Sequence, residues 1–225
     1  MNTKGAAFLR ARRPEHKRQR YDAILAAARE LATAESVNEV SLADIAERVG
    51  VHKSALLRYF ETREEIFLRL AEAEWRDWAD ALVAALPEVA GEPERVADVL
   101  GASFADRPLF CQLLLHTPLT LERNVSIDVV RPFKLALAKA MEDVAAALQA
   151  ALPALGPSGA VELAAVTGMV AAGAWQVANP PPVIVVLQEE LAECQALTLP
   201  DLPDVVTRFA RVYVAGLSGL SDTCR

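Results

Sequence analysis

The sequence predicts an all-α fold in two units, a small N-terminal head and a larger helical body. Three observations carry that prediction. Apolar residues make up 53% of the chain, are rich in alanine, and recur at helical rather than alternating spacing. Prolines punctuate these runs: Pro14 and Pro93 are placed to start helices, Pro87 and Pro180–Pro182 to end them. Charge is split along the chain. Residues 1–63 hold 12 basic and 8 acidic residues and the remainder 11 and 22, within a net charge of −7. A basic head on an acidic body suits a protein that presents one end to nucleic acid. The 225 residues are divided after residue 62, into units of 1–62 and 63–225.

Seven of the first twenty residues are Lys or Arg, against one acid, Glu15. This segment reads as a loosely held arm able to reach phosphates or the minor groove, or else as a solvated tail. A first helix then runs from Pro14 to Thr33, with Tyr21, Ile24, Leu25, Ala28, Leu31 and Ala32 on one face. Asn38, in the following loop, tolerates the left-handed backbone region.

Ser41–Phe60 reads as two short helices around a tight turn. Ser41 is placed to cap the first, with Asp44 in its opening turn. Leu42, Ile45, Ala46 and Val49 form its apolar face, and Gly50 stands where a left-handed residue ends a helix. The second helix begins near His52 or Lys53 and carries Ala55, Leu56, Tyr59 and Phe60. A small residue at the crossing and a glycine in the turn make a helix-turn-helix, whose second helix enters the DNA major groove. An ordinary helical hairpin shares that turn. Lys53, Ser54, Leu57 and Arg58 favour the DNA reading, because they point outward with few acids nearby to repel phosphate.

The run from Gly50 to Phe60, GVHKSALLRYF, followed by Thr62–Ile66, TREEI, resembles the signature of the tetracycline-repressor (TetR) family. The chain departs from that signature at His52, where the family carries Ser, and at Leu57, where it carries Tyr. Both positions face DNA, so they bear on the operator sequence rather than on the fold. The resemblance spans Tyr21–Leu70 and implies a three-helix DNA-binding head on a helical ligand-binding and dimerisation body. Lys53 and Tyr59 are expected to touch phosphates, and Ser54, Leu57 or Arg58 to reach base edges. Thr62 and Arg63 are expected to hold the DNA backbone, and Ser41 joins this set at the start of its helix.

In the body, a long helix from Thr62 to Leu86 presents Phe67, Leu70, Ala71, Trp75, Trp78 and Leu82 on one face and links the two units. Further helices are predicted at 94–104, 108–115, 127–152, 159–178 and 203–220. Residues 183–196 suit a short helix, although Val183–Val186 would equally suit a strand. The last two long helices are apolar almost all round and need two partners, the chain's own core and a second copy. Met169, Ala172, Phe209, Tyr213, Gly216 and Leu220 are the expected seam of a twofold four-helix interface, as the resemblance also implies. Trp78, Phe104, Phe110, Phe133, Met141 and Trp175 are large side chains on separate helices among alanines. They are expected to line a cavity for a small hydrophobic effector, with His116 and Gln112 as polar contacts. A dry, packed core is the alternative.

Cys111, Cys194 and Cys224 are odd in number and widely spaced, and no Cys/His cluster occurs, so neither a metal site nor a disulfide scaffold is expected. The motifs of phosphate-cradling loops, nucleophile elbows and zinc peptidases are missing, and no cofactor is expected. Cys111 and His116 are a conceivable nucleophile and base, but their offset of five places them on different helix faces. No apolar run of transmembrane length and no signal peptide are expected, which points to the reducing cytoplasm. The resulting reading is a homodimeric transcriptional regulator, not an enzyme. It represses from palindromic double-stranded operator DNA and is released by a small apolar ligand. A ligand-independent architectural DNA-binding dimer and an enzyme built on Cys111 and His116 are the alternatives.

Overall fold

The computed structural model describes residues 4–191 and 201–223, with side chains for 15–191 and 201–217. Ten α-helices and no strand occupy the described residues. They are α1 (Lys4–Ala34), α2 (Leu42–Val49), α3 (Lys53–Leu56), α4 (Arg63–Ala85), α5 (Pro93–Ala102), α6 (Pro108–His116), α7 (Ile127–Ala151), α8 (Gly156–Ala178), α9 (Pro182–Glu190) and α10 (Leu202–Thr223). The side chains of Lys4, Arg10, Arg12, Arg13 and Leu220, and residues 192–196 of the last predicted short helix, lie outside what is described.

Two sequence expectations are corrected, and a third is decided between its alternatives. Helix α1 starts at Lys4, not Pro14, because alanine and arginine, both strong helix formers, fill the segment read as a loose arm. The short helix expected over 183–196, rather than its strand alternative, forms at Pro182–Glu190, with Pro182 in the first turn, where its missing N–H costs nothing. The segment Pro153–Ala178 is, by length and composition, apolar enough to cross a bilayer. In this fold it serves as a core helix: α8 packs against α6, α7 and α10.

Local signals fix the head. Ser41 Oγ accepts from the Ala43 and Asp44 amides, and Asp44 Oδ2 accepts from the Ser41 N–H at 2.7 Å, a reciprocal cap on α2. Gly50 takes φ 73° and ψ 38°, and Val51 N–H bonds the Ala46 carbonyl at 2.9 Å, closing α2 and turning the chain. Helix α3 is a single α-turn, shorter than predicted, continued by a tight turn in which Tyr59 N–H bonds the Leu56 carbonyl at 2.8 Å. Its N-cap residue, His52, makes no side-chain cap; the ring Nδ1 lies 3.3 Å from Ser54 Oγ instead. Thr62 Oγ1 accepts from the Glu65 N–H at 3.1 Å and starts α4.

Two apolar clusters hold the chain. One joins Ile24, Ala28 and Leu31 of α1 to Ile45 and Ala46 of α2, to Leu56 and Phe60, and to Ile66, Phe67 and Leu70 of α4. It also takes in Leu109 and Leu113 of α6 and Val129 and Phe133 of α7, so the head is sealed by the body. The other gathers Trp78 and Leu82 of α4 with residues of α5 to α8 and α10. Helix α4 runs through both.

The seam between them is polar at three points. The Arg29 guanidinium pairs with Glu74, a buried carboxylate of α4. Gln112 of α6 accepts from the Val37 N–H at 2.8 Å and donates to the Ala32 carbonyl at 3.3 Å. His116, at the end of α6, is buried, and its Nδ1 has no hydrogen-bond partner. Burial first, and then the Arg63 charge, hold the His116 imidazole below its ordinary value of 6.5.

The unfolded chain therefore takes up this proton at a higher pH than the folded one. The stability from keeping His116 neutral is complete above pH 6.5 and is lost as pH falls through 6.5 toward the folded value. Denaturant titrations of His116→Gln should show a flatter fall in unfolding free energy below that pH, by at most about 1.4 kcal/mol per pH unit. Parallel curves for the two proteins would count against it.

Candidate nucleic-acid interface and apolar cavity

The outer end of the head is built by burying one side of the α3 turn. Leu56 and Phe60 are fully buried, and Phe60 stacks on Tyr21 with ring centroids 4.7 Å apart. The opposite side therefore faces out: His52, Lys53, Ser54 and Arg58 are exposed, and so is Leu57 at 51%. Tyr59 is half-buried at the edge of this surface. Two cations flanking a hydroxyl can neutralise phosphates, and the Arg58 fork can match a guanine edge. Ser41 is exposed at the start of α2, and Thr62 is half-buried at the start of α4. Each marks a helix N-terminus, where amide dipoles favour an anion.

Arg63 does not join this surface. Its side chain is 18% exposed and lies over the Phe67 ring, 4.6 Å from the centroid. Its Nε donates to the Val40 carbonyl and its Nη2 to the Val37 carbonyl. The residue expected to grip DNA instead holds the loop between α1 and α2.

In the body an apolar cavity of about 550 Å³ opens between α4, α6, α7 and α8. Trp75, Leu115, Phe133, Leu137 and Met141 form much of its wall, with Ala165, Gly168, Met169, Ala172 and Gly173 along α8. Lys134 and Glu122, paired at 2.7 Å, supply its charged groups. Thr117, Pro118 and Leu119 complete it from a widened turn, Thr117–Leu121, that continues α6. Pro118 has no N–H for the carbonyl four residues back, which is where the regular helix gives way.

Of the eight residues expected at a ligand cavity, Phe133 and Met141 line this one. Trp78, Phe104 and Phe110 are packed on one another, with centroids 5.4 to 6.0 Å apart, and each is at most 1% exposed. Trp78 Nε1 donates to Ser103 Oγ at 3.0 Å. These rings are core, drawn together by their own contact area. His116 belongs to the seam, and Trp175 packs half-buried on the body's core. Phe133, read with that aromatic set, does line the cavity. Trp75, placed by its spacing on the apolar face of α4, lines it too. The signal that marks the wall is the run of small residues on α8 facing Met141.

Met169 and Ala172, assigned to the dimer seam, also form cavity wall, and Met169 is 70% exposed. On the same side of α8, Val161 and Val177 are exposed, as is Val212 on α10. Gly216 is exposed; Phe209 and Tyr213 are half-buried, with ring centroids 5.7 Å apart. A Cβ added at Gly173 or Gly216 would meet no atom of its own chain within 4 Å. Leu220 lies outside the described side chains. Cys111 is fully buried, which pushes its thiol up to about 12, so it is not a thiolate at neutral pH. Among the described residues no cluster of His, Cys, Asp and Glu could hold a metal ion.

Residues 24–70 match the family model described as bacterial regulatory proteins, tetR family. Residues 72–219 match the one described as tetracyclin repressor-like, C-terminal domain. A comparison with curated protein sequences gave no match. Among solved structures, the chain resembles a protein from Mesorhizobium loti MAFF303099 assigned to the TetR-family transcriptional regulators. That pair has a TM-score of 0.53 and 14% identity, covering 91% of this chain and 97% of the other. The fatty acid degradation regulator FadR from Bacillus halodurans is also similar, with a TM-score of 0.50 and 14% identity over 88% of this chain and 96% of that one. At such identities the structures show a shared fold, while the family models span both the head and the body. The chain belongs to the TetR family and is a DNA-binding transcriptional regulator.

Proposed function

We propose that this regulator is a homodimeric repressor of a palindromic operator, released by a small, largely apolar molecule. The supporting observation is the pairing, in one chain, of an outward cationic turn with an apolar cavity of about 550 Å³, three of whose wall helices, α4, α6 and α7, also pack into the head's core. Residues 1–62 act as the DNA-binding unit and 63–225 as the effector and dimerisation unit, in the cytoplasm. Lys53 and Tyr59 contact phosphates, and Ser54, Leu57 and Arg58 face base edges. The starts of α2 and α4, at Ser41 and Thr62, hold the backbone. Arg63 serves this surface from within, by positioning the loop. The exposed faces of α8 and α10 meet a second copy, which spaces two recognition turns by roughly 34–36 Å, one turn of DNA. A molecule in the cavity acts by preferring one dimer geometry over the other.

Selection of bound duplexes from random DNA tests the first part. Against the selected duplex, Lys53→Ala should weaken all sequences alike and reduce the salt slope by about one. Arg58→Ala should relax preference at one base pair, by about 1–3 kcal/mol. Unchanged binding in both variants would place the interface elsewhere.

Sedimentation tests the second. Because the space around Gly216 is open within its own chain, Gly216→Leu should leave helicity intact and weaken the dimer by about 1–3 kcal/mol or more, from overpacking of the seam. A wild type that sediments as a monomer at micromolar concentration removes the basis for palindromic binding.

The third part is read with N-phenyl-1-naphthylamine, an uncharged fluorescent probe of apolar sites, and with the combined emission of the three tryptophans, of which Trp75 lines the cavity. A Cβ at Gly168 meets open space, so Gly168→Leu should fill the cavity. Probe affinity should then fall at least about tenfold, roughly 1.4 kcal/mol, with operator affinity retained. Equal probe binding by variant and wild type would show that the cavity is not the site.

A further inference from the structure

The loop between α1 and α2 is gripped from two sides. From α4, Arg63 donates to the carbonyls of Val37 and Val40. From α6, Gln112 takes the Val37 N–H and gives an N–H to the Ala32 carbonyl. Ala32 lies in the last turn of α1, where helix carbonyls lack partners within the helix. A single side-chain amide thus joins the end of α1 to the loop from which α2 starts. Gln112 is only 8% exposed, so water cannot readily take over either bond.

The same helix reaches the cavity. Leu114 and Leu115, two and three residues beyond Gln112, line it, and the turn after His116 adds Thr117, Pro118 and Leu119. A nine-residue helix moves as one body, so an occupant that displaces this wall displaces Gln112 as well. The neighbouring contacts of α6 with the head, Leu109 and Leu113, are apolar. Burial has no direction, so such contacts tolerate a small slide. Hydrogen bonds weaken steeply with misalignment and do not.

We infer that Gln112 is the positioning residue through which occupancy of the cavity reaches the recognition turn; this rests on the effector reading above. An empty cavity leaves the amide seated on Val37 and Ala32, with α2 and α3 held for DNA. An occupied one draws α6 away, breaks the pair of bonds and frees the loop.

The test is the linkage factor, the ratio by which the selected operator duplex weakens binding of N-phenyl-1-naphthylamine to the full-length protein. In the wild type it should be on the order of tenfold. Gln112→Met keeps the side-chain volume and loses both bonds; Gln112→Leu does the same with a shorter chain. In both, the factor should fall to within about twofold of one, while probe affinity without DNA is kept or rises, because no bonds remain for the probe to break. A residue that only held the fold together would lower the melting temperature and leave the linkage unchanged. Folded variants with wild-type linkage therefore overturn the inference. Should neither variant fold, amide exchange at Val37 of the wild type decides. It should quicken on the order of tenfold in the probe complex as its acceptor leaves, and unchanged exchange at saturation overturns the inference. A wild type that binds both probe and duplex with no linkage removes the effector reading itself, and this inference with it.

Discussion

Arg63 lies with its guanidinium over the Phe67 ring and donates to the carbonyls of Val37 and Val40. That loop has no helix or sheet to satisfy its backbone, and Val37 and Val40 are both almost fully buried. Their carbonyls need donors, and a planar fork from the first turn of α4 supplies two at once. Only the cap residue Ser41 separates Val40 from helix α2, so wherever Arg63 puts that carbonyl, α2 and the recognition turn follow. The orientation of the DNA-facing surface is thus set by an arginine that never reaches it. Further along α4, the Arg29–Glu74 pair ties the helix back to α1, and Trp78 anchors it in the body. One helix therefore carries both the placement of the head and the packing of the body.

Much of the head was legible because its signals are local. Ser41 and Asp44 cap within three residues, Gly50 needs only its own left-handed backbone, and Leu56 and Phe60 share a face by spacing alone. Arg63 was misread for the same reason. Its position at the start of a helix beside the recognition turn looks like a phosphate contact, and nothing within ten residues shows that Val37 and Val40 will present their carbonyls to it. Helix α3 was overestimated because its apolar spacing continues through Tyr59 and Phe60, whereas the backbone tightens after Leu56. The length of α1 was underestimated because basic charge was taken for disorder where alanine and arginine also favour helix.

In the body, the sequence showed the ingredients and misplaced them. Large rings among alanines do coexist with a cavity, but Trp78, Phe104 and Phe110 found one another and closed a core. The open space lies instead where α8 offers Ala165, Gly168, Ala172 and Gly173 to α7. Both outcomes follow from one rule, that large side chains fill space and small ones leave it. Which neighbour receives which depends on how α4, α6, α7 and α8 cross, and no single helix encodes that.

The cavity's wall has a further consequence. Two of its members, Met141 of α7 and Met169 of α8, are unbranched thioethers with three rotatable bonds, and α8 adds glycine and alanine around them. Methionines re-pack around whatever they touch, so such a wall has no fixed outline. It cannot reject a guest by silhouette, only by bulk and by the desolvation of polar groups it leaves unmatched. Each added methylene then changes affinity by no more than about 1–3 kcal/mol. As the proposed effector site, such a chamber would accept a chemical family rather than one compound, with affinities graded by how much apolar surface each member hides.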